Sequence, residues 1–308
     1  MKRAILTGAT SIIGVALAKY LAERGVSVTA VTRPQSKRIA NVPVSENIRL
    51  VECDLDALSS LVEILPHDYD AFFHLGWNAA SREMTQDPVA QTQSILHTLN
   101  AVKTAHALGC GVFVGAGSQA EYGRAESPLS ENTVTNPETS YGIAKYAAGK
   151  LSLQLSAKLG MRHCWCRILS VYGPYDKEDT GIMYCIRSLL RGESPSLTKA
   201  EQSWDYIFSG DCAKALYFVA EKGQHGAIYP VGSGRASRLR DYFETIRDIV
   251  APSVKLNVGD KEYPVGQIMY LCADITKLTR DTGFQPDYSF DAGIRETLKW
   301  LQNKDATL

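Results

Sequence analysis

The stretch that decides the fold is Thr7-Gly8-Ala9-Thr10-Ser11-Ile12-Ile13-Gly14, near the start of the 308-residue sequence. It follows a short apolar run, residues 3–7, which is typical of a β-strand. Helical periodicity then continues to a stop signal at Arg24-Gly25, and a β-branched strand pattern occupies residues 26–32. A glycine turn between a strand and a helix presents backbone N–H groups to a diphosphate. Ser11 at the middle position keeps its N–H donor and adds a hydroxyl.

The alternation of strand and helix continues to about residue 170. Helical patterns lie at about 56–65, 88–108 and 141–159, between strand candidates at 48–53, 70–75, 111–116 and 162–168. Strands separated by helices of this length imply right-handed crossovers and a parallel sheet covered on both faces. The predicted class is α/β: a Rossmann-type doubly wound parallel sheet with helices on both faces, followed by a smaller mixed α/β lobe.

Composition and charge exclude several function classes. The sequence has 33 basic and 33 acidic side chains and is 45% hydrophobic, which argues against a nucleic-acid partner and against disorder. No stretch approaches the ~20 apolar residues of a membrane span or has the pattern of a secretory signal. Seven cysteines without a Cys-x-x-Cys pair indicate reduced thiols, and six histidines show no metal-ligand spacing. We expect a cytoplasmic protein that binds neither membrane nor metal.

A basic cluster follows the second predicted strand. A carboxylate usually holds the adenosine ribose hydroxyls of NAD at this point, but the strand ends at Thr32-Arg33 with no acid nearby. Arg33, Lys37 and Arg38 lie there instead, and guanidinium groups favour the 2′-phosphate of NADP. The sequence predicts NADP in preference to NAD, and a solvated basic loop is the alternative interpretation.

Two Tyr-x-x-x-Lys pairs lie in one predicted helix: Tyr141 with Lys145, and Tyr146 with Lys150. Five residues rotate a helix by about 140°, so the two pairs face different directions. Tyr141 starts the helix directly after Ser140, the expected N-cap, and a helix end can open onto a cleft. Tyr146 and Lys150 lie deeper in the helix and are typical of a packing or surface pair. The sequence therefore favours Tyr141 and Lys145 as the functional pair.

This pair suits proton transfer at a sugar or alcohol oxygen. A free phenol has a pKa of about 10 and is a poor base at neutral pH. The Lys145 ammonium and an oxidised nicotinamide favour the phenolate, so we expect the pKa of Tyr141 to be lowered. Ser118 follows a glycine-rich strand end at the carboxyl edge of the sheet, where its hydroxyl can bond the same oxygen. A turn serine is the alternative interpretation of Ser118.

Taken in order, these motifs resemble the extended short-chain dehydrogenase/reductases, specifically the NAD-dependent epimerase/dehydratase family that modifies nucleotide sugars. The resemblance runs almost end to end through residues 7–14, 53–55, 73–76, 118–123, 141–145, 167–174, 204–211 and 274–286. It implies a dinucleotide-binding domain over residues 1–170, with a return segment near 205–220. An interleaved substrate-binding lobe is expected over 171–308.

The resemblance also implies roles for individual residues. Ser118, Tyr141 and Lys145 match the catalytic positions, and a nucleotide sugar is the implied substrate. Relatives often dimerise through the helices predicted at 88–108 and 141–159, which implies a homodimer. The expected cofactor contacts are Gly8, Thr10, Ser11, Ile12, Ile13, Gly14, Arg33, Asp54, Leu55, Leu75 and Gly76.

Four substrate-side positions depart from the family pattern. Gln119 and Ala120 replace the Asp-Glu pair that drives water loss in family dehydratases, which makes dehydration unfavourable. Ser170 replaces an Asn near the substrate nucleotide, and Trp204 replaces an Arg that binds phosphate. We keep Gln119, Ser170 and Trp204 as candidate substrate contacts. The alternative phosphate ligands are Arg187, Arg191 and Arg235.

Three hypotheses about function remain open. The Thr32-Arg33 strand end favours a 4-ketoreductase that uses NADPH once and releases it. An NAD-retaining 4-epimerase similar to UDP-glucose 4-epimerase is the alternative within the family. A non-catalytic nucleotide-sensing relative is the alternative of another class, and the intact Ser118, Tyr141 and Lys145 set argues against it.

Overall fold

The computed structural model describes residues 1–78 and 84–305. Its strands in chain order are β1 Arg3–Thr7, β2 Ser27–Thr32, β3 Ile48–Glu52, β4 Ala71–His74, β5 Val112–Ser118, β6 Arg162–Ile168, β7 Ser170–Tyr172, β8 Ser196–Leu197, β9 Ser203–Trp204, β10 Tyr206–Phe208, β11 Ala227–Val231, β12 Ser237–Arg238, β13 Asn257–Val258 and β14 Tyr270–Leu271. Seven of these strands form one parallel sheet in the order β11-β6-β5-β4-β1-β2-β3. The strand order reverses between β1 and β4, so the predicted doubly wound Rossmann-type sheet is confirmed.

The helices cover both faces of this sheet and build the second lobe. They are α1 Ile12–Ala22, α2 Leu61–Ile64, α3 Pro88–Ala107, α4 Ser140–Lys158, α5 Gly181–Leu190, α6 Ser209–Lys222, α7 Leu239–Val250, α8 Thr276–Thr282 and α9 Phe290–Asp305. Short 3₁₀ turns lie at Ile39–Asn41, Leu55–Ser60, Met84–Gln86 and Gln119–Glu121. α1 packs beside α6 on one face of the sheet, and α3 packs beside α4 on the other.

Two predicted elements differ from the structure. The helix expected over 56–65 is a 3₁₀ segment followed by the single α-helical turn α2. The Ser60 hydroxyl donates to the Ala57 carbonyl at 2.9 Å, and such local side-chain bonds compete with regular helix. β5 runs on to Ser118 rather than ending at 116, because its last two residues pair with Arg167 and Ile168 of β6.

Four apolar clusters lie among the described residues, and the three larger ones pack the helices against the sheet and build the second lobe. Leu17 of α1 and Leu216 of α6 are fully buried in the core on one face, and Phe72 and Phe113 are fully buried in the core on the other. Burial of a large apolar side chain stabilises a fold by roughly 1.5–3 kcal/mol. The third core joins α5, α7 and α9 in the second lobe. The carboxyl edge of the large sheet faces that lobe through β7, which follows β6 after one residue.

The chain returns to the central sheet after its first visit to the second lobe. β11 pairs with β6, beyond the expected return segment 205–220. A parallel strand requires a crossover before it, and α6 is that crossover. We propose on this basis a cofactor lobe formed by residues 1–170 and 209–231.

The sequence led us to expect no membrane span, no metal site and no disulfide. None of the helices in the described ranges is both long and apolar enough to cross a bilayer. No group of three metal-ligating side chains occurs among the same residues. All seven cysteines of the sequence are buried, and none forms a disulfide.

We predict that Gly8→Ala damages the turn after β1. Gly8 has a φ of +72°, and a Cβ there would lie 2.8 Å from the backbone of Leu75 and Gly76. Left-handed strain and this clash together are expected to lower the free energy of unfolding by about 2–4 kcal/mol, as measured by urea denaturation.

Gly25→Ala is the matched control for this experiment. Gly25 has the same φ of +72°, but nothing lies within 4 Å of a Cβ built there. We expect it to lose only the strain, about 1–2 kcal/mol. Equal losses in the two variants would contradict the claim that close backbone approach requires glycine at position 8.

Candidate active site

The predicted catalytic pair lies in the first turns of α4. The N-cap of α4 is Thr139, whose hydroxyl accepts the Gly142 N–H at 3.0 Å, so the expectation of Ser140 is wrong. The reason is that Ser140 is already helical, and its hydroxyl donates to the Gln86 carbonyl at 3.2 Å. The helix therefore starts one residue earlier than the sequence predicted, and Tyr141 remains in its first turn.

Ser118 is fixed by a buried carboxylate. Its backbone N–H donates to Oε1 of Glu121 at 2.8 Å, and its hydroxyl accepts the Ala120 N–H at 3.2 Å. Glu121 also accepts bonds from Trp165 Nε1 at 2.9 Å and Arg167 Nε at 2.8 Å. Sequence reasoning missed Glu121 and Arg167. The Ser-x-x-Glu pattern of a capping box at 118–121 was the signal that could have found Glu121.

Lys145 is buried at the carboxyl edge of the sheet. Its Nζ donates to the Ala116 carbonyl at 2.6 Å and lies 3.8 Å from the ring centroid of Trp77. The same Nζ lies 5.8 Å from the ring centroid of Tyr141. Burial lowers the pKa of Lys145 to about 7, although the Glu121 carboxylate acts in the opposite direction. The ammonium and amine forms are therefore both accessible near neutral pH.

The pKa of Tyr141 is shifted in the direction opposite to our expectation. Burial raises it to about 12 and outweighs the hydrogen bond from Ser118, while the charge of Glu121 adds to the rise. The expected lowering of the Tyr141 pKa by Lys145 is therefore wrong. The Lys145 Nζ donates to the Ala116 carbonyl and lies over the Trp77 ring, at 5.8 Å from the Tyr141 ring centroid. Tyr141 is thus a protonated phenol at neutral pH.

The second Tyr-x-x-x-Lys pair lies elsewhere on α4. Tyr146 and Lys150 line a small cavity with His163 and Trp165, and the Lys150 ammonium lies 5.5 Å from the Tyr146 ring centroid. Lys150 is exposed. The structure therefore does not bring this pair together with Lys145.

The glycine loop has the form of a phosphate cradle. The Ser11 hydroxyl caps α1 by accepting the Gly14 N–H at 3.0 Å and donates to the Gly8 carbonyl at 2.8 Å. The Ser11 N–H donates to the same carbonyl at 3.0 Å, so it belongs to the turn rather than to a ligand. The N–H groups of Ile12 and Ile13 have no intrahelical acceptor, since they begin the helix. They remain as donors for a diphosphate.

Close packing around this loop leaves no room for a side chain at Gly14 or Gly76. A Cβ on Gly14 would lie 2.2 Å from the Gly8 carbonyl oxygen, and one on Gly76 would lie 2.9 Å from the Leu55 side chain. Half-buried Thr10 and Leu75 complete the loop and its neighbour strand end. These features bring the predicted residues of the β1, β3 and β4 ends together in one place.

The adenosine side is more exposed. Asp54 is exposed and caps the 3₁₀ segment without a side-chain hydrogen bond, and Arg33 is exposed with no ion-pair partner in the described ranges. The buried Thr32 hydroxyl at the end of β2 also has no hydrogen-bond partner there. An orphaned hydroxyl and a free guanidinium beside the cradle fit an adenosine dinucleotide.

The two substrate-side replacements contact each other. Trp204 Nε1 donates to the Ser170 hydroxyl at 2.8 Å, and Ser170 lies two residues past Ile168, the register partner of Ser118. Gln119 lies next to Ser118, and its buried Oε1 has no hydrogen-bond partner among the residues described. Trp204 also lines a cleft of about 470 Å³ in the second lobe, with Tyr184, Leu197, Tyr206, Phe243 and Lys261.

The arginines proposed as alternative phosphate ligands have other roles in two cases. Arg187 pairs with Glu178 at 2.8 Å, and Arg191 pairs with Glu193 at 2.6 Å. Arg235 is exposed and has no ion-pair partner in the described part of the chain. Arg235 is therefore the arginine of this set that is left for an anionic substrate.

Comparison with known proteins agrees with this geometry. The model of the NAD dependent epimerase/dehydratase family matches residues 4–232. The chain belongs to this family. It is therefore an NAD(P)-dependent enzyme rather than a non-catalytic sensor.

The similarity to individual relatives covers nearly the full length of this family member. It is 26% identical to GDP-6-deoxy-D-mannose reductase of Pseudomonas aeruginosa across 96% of each chain. A solved UDP-N-acetylglucosamine 4-epimerase of Methanobrevibacter ruminantium, in complex with UDP-N-acetylmuramic acid, has a TM-score of 0.89 and 26% identity over 98% of this chain and 99% of that one. The structure of RMD from Pseudomonas aeruginosa with NADPH has a TM-score of 0.84 at 24% identity, over 99% and 100% of the chains.

Proposed function

We propose that this enzyme reduces the 4-keto group of a nucleotide-diphosphate sugar with NADPH. The observation that carries the proposal is the exposed Arg33 directly after β2, which favours the NADPH of a reductase over the NAD that an epimerase retains. Tyr141, beside Ser118 and Lys145, is the proton donor. A reduction consumes a proton at the carbonyl oxygen, and a phenol whose pKa is raised to about 12 holds that proton at neutral pH.

Each residue then has one role. Bound NADPH supplies the hydride to the sugar carbon. Tyr141 donates its proton to the sugar oxygen, and Ser118 donates a hydrogen bond to the same oxygen. The ammonium form of Lys145 stabilises the phenolate that remains, which solvent reprotonates. Glu121 does not replace the acid missing at Ala120, because it is buried and paired with Arg167.

The alternative is a 4-epimerase that retains NAD. The fold similarity to the UDP-N-acetylglucosamine 4-epimerase, at 26% identity, favours it. The similarity to GDP-6-deoxy-D-mannose reductase favours the reductase. Dehydration is excluded from both proposals because Gln119 and Ala120 supply no acid-base pair.

We also propose a cytoplasmic homodimer. Leu96 of α3 and Ile143 and Leu151 of α4 are exposed apolar side chains on the two neighbouring helices that cover one sheet face. A second copy would bury them. Sedimentation velocity is expected to show a dimer, and a monomer at micromolar concentration would refute this proposal.

Analysis of the nucleotide that copurifies with the enzyme distinguishes reductase from epimerase. We expect the protein to release little NAD on denaturation, to bind added NADPH, and to oxidise it with a 4-keto nucleotide sugar. Stoichiometric NAD in the extract, with interconversion of 4-epimers and no net oxidation, would establish the alternative. Mass spectrometry of the extract and absorbance at the reduced-nicotinamide band are the two measurements.

We predict that Tyr141→Phe lowers kcat by about 10²- to 10⁴-fold, because the proton donor is removed. Tyr146→Phe is the matched control and is expected to keep kcat within about twofold, since Tyr146 lies on another face of α4. Steady-state kinetics at constant pH compare the variants. Retained turnover in Tyr141→Phe with loss in Tyr146→Phe would reverse the assignment.

We predict that Arg33→Ser weakens NADPH binding by about tenfold or more, because a charged hydrogen bond to the 2′-phosphate is worth roughly 1.5–3 kcal/mol. NADH binding is expected to change little. Arg49→Ser is the control, since Arg49 is an exposed arginine on β3. Titration calorimetry gives the six dissociation constants, for NADPH and NADH with the unmodified enzyme and with each variant. Clearly tighter NAD(H) than NADP(H) in the unmodified enzyme would contradict the proposed preference.

A further inference from the structure

Trp77 contacts both members of the catalytic pair. It follows the end of β4 by three residues, and its ring centroid lies 3.8 Å from the Lys145 ammonium. Its ring meets that of Tyr141 edge to face, with centroids 5.9 Å apart and planes at 84°. An indole face attracts a cation most strongly where water is excluded, and Lys145 is 4% exposed.

The indole is itself held from α3. Trp77 Nε1 donates to Oε1 of Gln91 at 2.9 Å, and Gln91 is 1% exposed. The amide nitrogen of Gln91 donates to the Met84 carbonyl at 2.8 Å, which fixes the direction of its oxygen. A buried amide thus orients the ring plane over Lys145.

We propose that Trp77, oriented by Gln91, is a positioning residue that keeps Lys145 in its ammonium form and holds the ring of Tyr141 in place. The proposal rests on the proposed function of Tyr141 and Lys145, but it concerns a residue outside the predicted motifs. Trp77 acts through these two side chains and transfers no proton itself.

The charges around Lys145 make this contact necessary. Burial lowers the pKa of Lys145 to about 7, and Glu121 from the 119–121 turn is the carboxylate that opposes this. His74 from β4 adds no charge at neutral pH, because burial lowers its own pKa to about 3. Tyr141 on the same helix is neutral, and β5 contributes the Ala116 carbonyl. Loss of the indole face would lower the pKa of Lys145 further and leave less ammonium at pH 7–8.

The first test needs neither substrate nor cofactor. We expect the tryptophan fluorescence of the unliganded protein to titrate between pH 6 and 8. The Lys145 ammonium quenches the adjacent Trp77 indole, whereas the neutral amine carries no charge that would do so. The transition should vanish in Lys145→Met and in Trp77→Phe, although three other tryptophans remain. A protein inactive on every keto sugar still gives this result, so failure of the proposed function is distinguishable.

The second test measures NADPH affinity from pH 6 to 9.5. Lys145 lies at the same carboxyl edge of the sheet as the phosphate cradle, so affinity for the anionic cofactor should fall on the alkaline side as Lys145 loses its proton. Trp77→Leu should move this limb to lower pH by about one unit. Trp77→Phe keeps a ring face and should restore most of the shift. Gln91→Leu should produce a smaller shift in the same direction.

Trp300→Leu is the control, because Trp300 is a half-buried tryptophan on α9 that contacts Tyr175 rather than the catalytic pair. It should leave the alkaline limb of the NADPH affinity profile in place. A general loss of stability should also leave this limb in place, and thermal melting of each variant measures such a loss. An unchanged limb in a folded Trp77→Leu variant, or a fluorescence transition that persists in Lys145→Met, would overturn the proposal.

Discussion

The active site depends on one buried carboxylate. Glu121 accepts hydrogen bonds from the Ser118 N–H, the Trp165 indole and the Arg167 guanidinium, so it joins β5, the following 3₁₀ turn and β6. An unpaired charge there would cost several kcal/mol, and these three donors are what make its burial possible. The strand must leave room for this group: a Cβ on Gly117 would lie 2.4 Å from the Glu121 carboxylate. The glycine at position 117 and the position of Ser118 therefore both depend on the burial of Glu121.

Periodicity and local motifs in the sequence predicted the strands, the helices and the sheet. They could not predict which side chains on different strands contact each other. The alternation of strands and helices predicted the sheet, and the Tyr141–Lys145 spacing depends on helix geometry alone. The roles of Trp77 and Glu121 depend on which strands are neighbours and on burial, which no single segment encodes. The direction of the Tyr141 pKa was predicted wrongly for the same reason. A charge nearby in sequence suggested a lowering, whereas exclusion of water decides the sign.

The side chains at positions 170 and 204, where the sequence departs from the expected family pattern, contact each other. The family resemblance led us to expect an arginine at position 204 and an asparagine at position 170. The Trp204 indole N–H and the Ser170 hydroxyl that lie there hydrogen-bond to each other at 2.8 Å. The indole N–H is thereby occupied, and the ring is left as a wall of the cleft beside Tyr206 and Phe243. The charged side chains along that cleft are Asp179 and Lys261, of opposite sign. Such a surface favours stacking of a flat ring, and gives less of the fork-like grip by which arginines hold phosphates.

Burial determines the reactivity of the seven cysteine thiols. Burial raises the pKa of Cys110, Cys164 and Cys185 to about 12 and that of Cys272 to about 11. Because the thiolate is the nucleophile, these sulfurs are chemically inert at neutral pH. Peroxide and electrophiles that attack exposed thiols therefore find no exposed thiol among the seven cysteines of this sequence.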